Sequence, residues 1–152
     1  MSELEVEKIC KKYDIRNWTL KDGLVDVDGD VVITYKSLTR LPLLFGRVTV
    51  HFNFYDNNLT TLEGAPTEVG GEFSCYGNNL TTLEGAPTEV PGSFYCGTNK
   101  FTTLKGAPKK VDGDFSCSYN NLTTLEGAPT EVDGNFDCSD NKLISFSWAH
   151  LS

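Results

Sequence analysis

Four cysteines recur at intervals of 21 residues, and this regular row of thiols is the feature of the chain most suggestive of metal or redox chemistry. Each lies two residues after a phenylalanine, which is the alternation of a short strand with one buried side. The chain has no CxxC pair, so its spacing favours neither a zinc site nor a disulfide framework. We expect buried, free thiols at Cys75, Cys96, Cys117 and Cys138.

The other candidates for catalysis or metal binding are two histidines and one acidic segment. His51 and His150 lie in different turns of the repeat and have no partner motif. The segment DVDGD (Asp26–Asp30) lacks the glutamate that an EF-hand loop needs at its twelfth position, where Ser37 stands. The glycine spacing matches no dinucleotide or phosphate-binding loop. We therefore predict no catalytic residue, no metal site and no cofactor, and we expect that the protein is not an enzyme.

The cysteines belong to a repeat that organises most of the chain. The phrase NNLTTLEGAPTEV occurs unchanged at Asn57–Val69, Asn78–Val90 and Asn120–Val132, and a variant, NKFTTLKGAPKKV, occupies Asn99–Val111. Repeats of this length are typical of solenoids, in which each unit buries its apolar side against its neighbours. Gly-Ala-Pro in each unit excludes a regular helix there and predicts an extended or tightly turned return side.

The repeat resembles the leucine-rich-repeat family through the pattern F-x-C-x-x-N-x-L-x-x-L. The phrase L-T-x-L-E-G-A-P-x-E-V-x-G-x-F-x-C is similar to repeat proteins encoded by tailed bacteriophages, and the resemblance covers Gly23 to Phe146. It implies a curved binding solenoid of about six turns, with short parallel strands on the concave face. An asparagine after each strand is expected to hydrogen-bond the backbone of its own and adjacent turns.

The two ends of the solenoid need different structures to cover them. Ser2 followed by Glu5 predicts a capping box, and apolar residues at helical spacing then predict an N-terminal capping helix. We assign residues 1–22 to this helix and an entry segment, 23–142 to the solenoid and 143–152 to a C-terminal cap. Trp148 is expected either to plug the last turn or to leave an edge that pairs with another chain.

Residues that alternate with the buried strand positions are expected to form a recognition face. Four positions per turn belong to it, namely Asp30, Val32, Thr34 and Tyr35 in the first turn and their counterparts every 21 residues. These positions hold five of the six tyrosines and six carboxylates, without a lysine or arginine. Tyrosine is enriched at binding hot spots. The predicted contact residues are Tyr35, His51, Asn53, Tyr55, Glu72, Tyr76, Tyr95, Asp114, Tyr119 and Asp137.

The variant repeat gathers four lysines on one turn, away from the strand residues. They are Lys100, Lys105, Lys109 and Lys110. Two interpretations stay open: a secondary basic docking patch, or relief of repulsion between stacked glutamates of the flanking turns. The second is slightly favoured.

Charge and hydropathy limit the classes of partner. A net charge of −8 disfavours direct binding to nucleic acid or to anionic membranes and favours a protein with a basic surface. The sequence has no apolar run of membrane-spanning length and no signal-peptide pattern, so we expect a cytoplasmic protein. We predict a phage protein that binds a host protein, such as an antiviral defence factor, and inhibits or retargets it. The alternatives are a nucleotide-signal sponge and a structural or assembly protein; we expect a monomer, or a weak homodimer through the C-terminal edge.

Overall fold

A computed structural model of the chain describes residues 1–144, which form one helix followed by short strands. The predictions for Phe146, Trp148 and His150 lie outside the described residues. The helix, α1, spans Glu3–Lys12. The Ser2 hydroxyl accepts a hydrogen bond from the Glu5 N–H at 3.2 Å and donates one to the Glu5 carboxylate at 3.1 Å. Val6 and Cys10 of α1 are buried in the core, so the predicted capping helix is confirmed.

A β-hairpin that the repeat pattern did not predict follows the helix. Strands β1 (Trp18–Lys21) and β2 (Leu24–Val27) pair antiparallel. Asp22 and Gly23 join them with φ of 53° and 78°. An Asp-Gly pair at two positive-φ positions is the usual residue choice for a two-residue hairpin turn, and this signal was available in the sequence.

The strand residues of the repeat form a six-stranded parallel sheet in which every register step is 21 residues. The strands are β3 (Val31–Val32), β5 (Phe52–Asn53), β7 (Phe73–Ser74), β9 (Phe94–Tyr95), β11 (Phe115–Ser116) and β13 (Phe136–Asp137). Six strands enclose five complete steps, so the described chain is a parallel-strand solenoid of about five turns.

The return side is extended, as predicted, and forms short strands of its own. They are β4 (Phe45–Val48), β6 (Glu68–Val69), β8 (Glu89–Val90), β10 (Lys110–Val111) and β12 (Glu131–Val132). They divide between a four-stranded sheet, β1-β2-β4-β6, and a three-stranded sheet, β8-β10-β12.

A proline contributes to the break between β6 and β8. After the other return strands, one N–H per turn donates to the preceding turn, as in Gly70 to Val48 at 3.0 Å and Asp112 to Val90 at 2.9 Å. Pro91 stands at the equivalent position after β8 and has no N–H to donate. The ladder therefore lacks this rung between the two turns. In the described part of the chain, the bond that the N–H groups of Thr67, Lys109 and Thr130 make to the preceding turn is also absent at Thr88.

The core is a set of stacked columns between the two sides. Phe73 and Phe94 stack with ring centroids 5.0 Å apart and planes within 7°, and Phe94 stacks on Phe115 at 5.6 Å. The leucine columns are equally inaccessible, since Leu59, Leu80 and their counterparts up to Leu122 are fully buried. Burial of these aromatic and aliphatic side chains is the main source of stability. Each turn of a solenoid contacts only its neighbours, so this burial takes place between adjacent turns.

One asparagine per turn ties the strand side of adjacent turns together. The Asn78 amide donates to the carbonyls of Phe54 and Cys75, both at 3.0 Å, and its oxygen accepts from the Leu59 N–H at 2.9 Å. The same pattern repeats at Asn57, Asn99, Asn120 and Asn141. Buried backbone groups at the corner are thereby satisfied, as the sequence predicted.

Candidate partner-binding face

The predicted recognition positions lie on one surface. This surface is the outward side of the six-stranded sheet together with the corner that follows each strand. We call it the strand face; it consists of Asp30, Val32, Thr34 and Tyr35 and their counterparts every 21 residues. The strands position it because alternate apolar residues, such as Val31 and Ile33 or Phe73 and Cys75, point into the core, which turns the intervening residues outward.

Three tyrosines of the strand face touch one another. Tyr55 and Tyr76 stack with ring centroids 5.2 Å apart and planes within 8°, and Tyr35 meets Tyr55 edge-on at 5.4 Å. Tyr95 and Tyr119 lie on the same surface in later turns but form no ring contact within residues 1–144. The aromatic part of the face is thus a three-ring row in the first three turns with two separate tyrosines beyond it.

The last position of the strand face in each turn is a corner with left-handed backbone. Its six residues all have positive φ, between 50° and 74°, and they are Tyr35, Asp56, Gly77, Thr98, Tyr119 and Asp140. Glycine and aspartate adopt this conformation readily, whereas tyrosine and threonine do so at a cost. The sequence pattern placed these residues on the face but did not reveal that the chain turns there.

Several polar side chains predicted as contact residues also hold the scaffold. Asn53 accepts from the Tyr55 N–H at 2.9 Å, and Asp137 accepts from the Ser139 N–H at 3.0 Å. His51 Nδ1 accepts from the Glu72 N–H of the next turn at 2.9 Å, which requires that this nitrogen carry no proton. Asp114 accepts from Asn135 in the same way at 2.8 Å. Substitution of these four residues would change the backbone as well as the surface.

The electrostatic character of the strand face is uniformly negative. Its carboxylates are Asp30, Asp56, Glu72, Asp114, Asp137 and Asp140. Hydrogen bonds from the Ser139 backbone and hydroxyl lower the pKa of Asp137, which keeps this carboxylate ionised. At the other end of the face, the neighbouring Tyr55 hydroxyl, reduced hydration and the Asp56 carboxylate raise the pKa of Tyr35 to about 12, so this phenol keeps its proton.

The four lysines of the variant repeat lie among acidic residues. Lys105 is 3.7 Å from the Glu126 carboxylate, and Lys110 is in register between Glu89 and Glu131 on the return side. Lys109 and Lys100 are exposed. The Lys110 ammonium lies 3.9 Å from the Asp112 carboxylate of its own turn. Since the Lys105 and Lys110 ammonium groups each have a carboxylate neighbour, and the Lys110 backbone is in register with two glutamates, this geometry favours relief of repulsion over a docking patch.

Reversing one of these charges tests that interpretation. Lys110→Glu places three glutamates in register across β8, β10 and β12, and we expect it to lower the free energy of unfolding by about 1 kcal/mol. Lys109→Glu is the matched control, because its in-register neighbours are Thr88 and Thr130. Urea unfolding in low salt and in 1 M NaCl measures both variants. Equal losses of stability in the two variants, or a loss that salt does not reduce, would contradict the interpretation that Lys110 relieves repulsion between glutamates.

The cysteine row is buried and free, as expected. Burial raises the pKa of Cys75 and Cys117 to about 12, and burial, followed by the flanking thiols, raises that of Cys96 well above its usual value. Cys138, in the last strand, is only half-buried. A protonated, water-excluded thiol is a poor nucleophile and a poor metal ligand, so the row is part of the core.

The raised thiol pKa values predict a stability that falls with pH. The unfolded thiols ionise near pH 9 and the folded ones only near pH 12, so their contribution is complete below pH 9 and is lost as pH rises toward 12. Cys96→Val should therefore reduce the drop in stability between pH 8 and pH 10.5, and Cys138→Val should reduce it less. Urea unfolding at both pH values provides the measurement. The prediction is wrong if the two variants behave alike.

Other features of the described residues add no second site. Within residues 1–144 no three His, Cys, Asp or Glu side chains are grouped to hold a metal ion. No helix in this part of the chain is long and apolar enough to cross a membrane. A groove of about 420 Å³ opens beside Met1, Leu41 and Leu44, away from the strand face. Comparison of the chain with protein-family models, curated proteins and solved structures found no match.

Proposed function

We propose that this chain is a non-enzymatic binding module that recognises a partner protein through its strand face. The observation that carries the proposal is the composition of that face, which combines five tyrosines with six carboxylates and has no lysine or arginine. The stacking positions hardly vary between turns, whereas the strand face differs in every turn. A surface that varies on an otherwise constant scaffold is typical of repeat proteins that bind other proteins.

The repeat is proposed to be of the leucine-rich-repeat type. Two observations support this: leucine columns that are buried in successive turns, and an asparagine that links each turn to the preceding one. Stacked repeats of this kind present a broad, preorganised surface, and a preorganised surface loses little conformational entropy when it binds.

The proposed partner carries a basic surface. Complementary charge speeds association and selects the partner, and aromatic side chains supply most of the affinity. Tyr55, Tyr76 and Tyr95 would act as anchors, while Glu72, Asp114 and Asp137 would steer the partner. Because His51 and Asn53 also hold the backbone, their contribution to binding would come mainly from the shape they maintain.

The proposed setting is the cytoplasm of a bacterium infected by the phage that encodes the protein. The phage-like phrase of the repeat is the basis for this setting. A small binder there would inhibit or retarget a host protein, such as a nucleic-acid-binding defence factor, whose basic surface suits the acidic face.

A pair of threonine-to-arginine variants tests the proposal with one chemical change at two places. Thr98 lies on the strand face and Thr102 lies outside it, and both side chains are exposed. Affinity capture from bacterial lysate with mass spectrometry should enrich a protein on the wild type and on Thr102→Arg. Thr98→Arg should lose it, because it adds a cation to a surface that has none. Identical sets of captured proteins for all three would contradict binding through this face.

A further inference from the structure

Tyr35 is an exposed aromatic residue held in an unfavourable backbone conformation. Its φ is 55°, and its side chain is 68% exposed. Left-handed backbone is costly for tyrosine, whereas the same corner holds aspartate or glycine, which adopt it more easily, in three other turns. Thr98 and Tyr119 occupy it in the remaining two turns, but within the described part of the chain only Tyr35 both precedes a carboxylate at the next corner and contacts a second tyrosine ring. A strained residue that gains little burial points to a role outside the scaffold.

Among the described residues, no cation forms an ion pair with the polar groups beside Tyr35. The Tyr35 ring meets Tyr55 edge-on at 5.4 Å, and Tyr55 and Asp56 both raise the pKa of the Tyr35 hydroxyl. The Asp56 carboxylate leans over Gly77 of the next turn, where any side chain would collide with it. Within residues 1–144 Asp56 forms no ion pair, and neither does Lys36, the residue after Tyr35.

We propose that Tyr35, Tyr55 and Asp56, which we call the corner site, bind one arginine side chain of the partner protein. This inference rests on the proposed function and names the group that its basic partner presents. The guanidinium packs against the exposed Tyr35 ring, donates to the Asp56 carboxylate and donates to the Tyr55 hydroxyl.

Arginine fits the corner site better than lysine for a geometric reason. A planar guanidinium can stack on a ring while its N–H groups reach two acceptors in the same plane. A lysine ammonium is a strongly hydrated point charge and cannot make both contacts with one face. The negative charge of the whole strand face attracts either cation, so the preference between the two separates the corner site from general electrostatics.

The direct test titrates the full chain with a blocked Gly-Arg-Gly peptide and with its Gly-Lys-Gly counterpart. Amide NMR shifts should move saturably at Tyr35, Tyr55, Asp56 and Tyr76. The lysine peptide should bind at least about threefold more weakly. Equal affinity for the two peptides, or shifts spread evenly over all acidic residues, would overturn the proposal.

Three variants identify the groups responsible. Asp56→Asn keeps a residue suited to left-handed backbone, and it should weaken arginine binding at least about fivefold. Asp133→Asn is the charge-matched control at an exposed carboxylate just after β12, and it should change binding less than about twofold. Equal effects of these two substitutions would overturn the corner site.

Tyr35→Gly separates binding from packing. Glycine suits a φ of 55°, so the variant should melt on the order of 2 °C higher than the wild type while it loses arginine binding. A lower melting temperature would show that the ring serves the scaffold and would overturn the inference. If the arginine peptide does not bind but Thr98→Arg still abolishes capture from lysate, the corner site is wrong and the proposal of binding through the strand face is retained.

Discussion

Replacing Asn78 with alanine should destabilise the protein by about 3–5 kcal/mol. The Asn78 amide donates to the carbonyls of Phe54 and Cys75, and its oxygen accepts from the Leu59 N–H, so one substitution leaves several buried backbone groups unpaired. Water cannot easily replace these bonds, because Asn78 is 6% exposed. Each unpaired buried group costs about 1–3 kcal/mol, and the lost contacts lie between two turns, so the damage should extend to both.

The adjacent asparagine provides the control. Asn79 is half-buried and forms no side-chain hydrogen bond in the described part of the chain. Asn79→Ala should therefore change the free energy of unfolding by less than about 0.5 kcal/mol. Urea unfolding followed by circular dichroism compares the two variants with the wild type. If Asn78→Ala and Asn79→Ala changed the free energy of unfolding equally little, the side-chain bridge between turns would not be a source of stability.

Truncating Phe94 to alanine should cost about 3–5 kcal/mol. Its ring is fully buried and lies between Phe73 at 5.0 Å and Phe115 at 5.6 Å, with nearly parallel planes on both sides. Removing the ring takes away both stacking partners at once and leaves a cavity in the middle of the column. Neighbouring turns cannot close that cavity, because the backbone ladder fixes their spacing.

The end of the same column supplies a matched comparison. Phe136 stacks on Phe115 at 5.2 Å on one side and is 38% exposed. Phe136→Ala should cost less than half as much as Phe94→Ala, since part of its ring already contacts water. Thermal and urea unfolding of the two variants measure the difference. Similar losses at both positions would show that stacking in the column does not depend on burial.

The sequence predicted the repetitive part of the fold because each element of it is a local pattern. Phenylalanine and cysteine two residues apart predicted an inward-facing strand, and the unchanged 21-residue spacing predicted parallel stacking in register. Ser2 and Glu5 predicted the start of α1 for the same reason, since a helix cap involves residues three apart. The β1–β2 hairpin was also encoded locally, at Asp22 and Gly23, although it lies outside the 21-residue repeat that predicted the other strands.

The candidate site depended more on tertiary structure. The 21-residue spacing in the sequence grouped the tyrosines on one surface. Only the stacked turns show that Tyr55 contacts both Tyr35 and Tyr76, while Tyr95 forms no such ring contact in the described residues. Likewise, the sequence could not tell that His51 accepts a hydrogen bond from a residue 21 positions later. Such a bond exists only after two turns are packed in register.

The amino-acid sequence by itself thus determined the period, the buried columns and the helix at the start. Tertiary structure decided where the ladder breaks, which polar side chains hold the backbone and which do not. Pro91 illustrates the difference. The sequence shows that residue 91 has no N–H, but only the structure shows that the missing hydrogen bond would have joined it to the return strand of the preceding turn. Patterns within a turn follow from local geometry. Contacts between turns depend on the register of the turns and on the left-handed backbone at the corner after each strand.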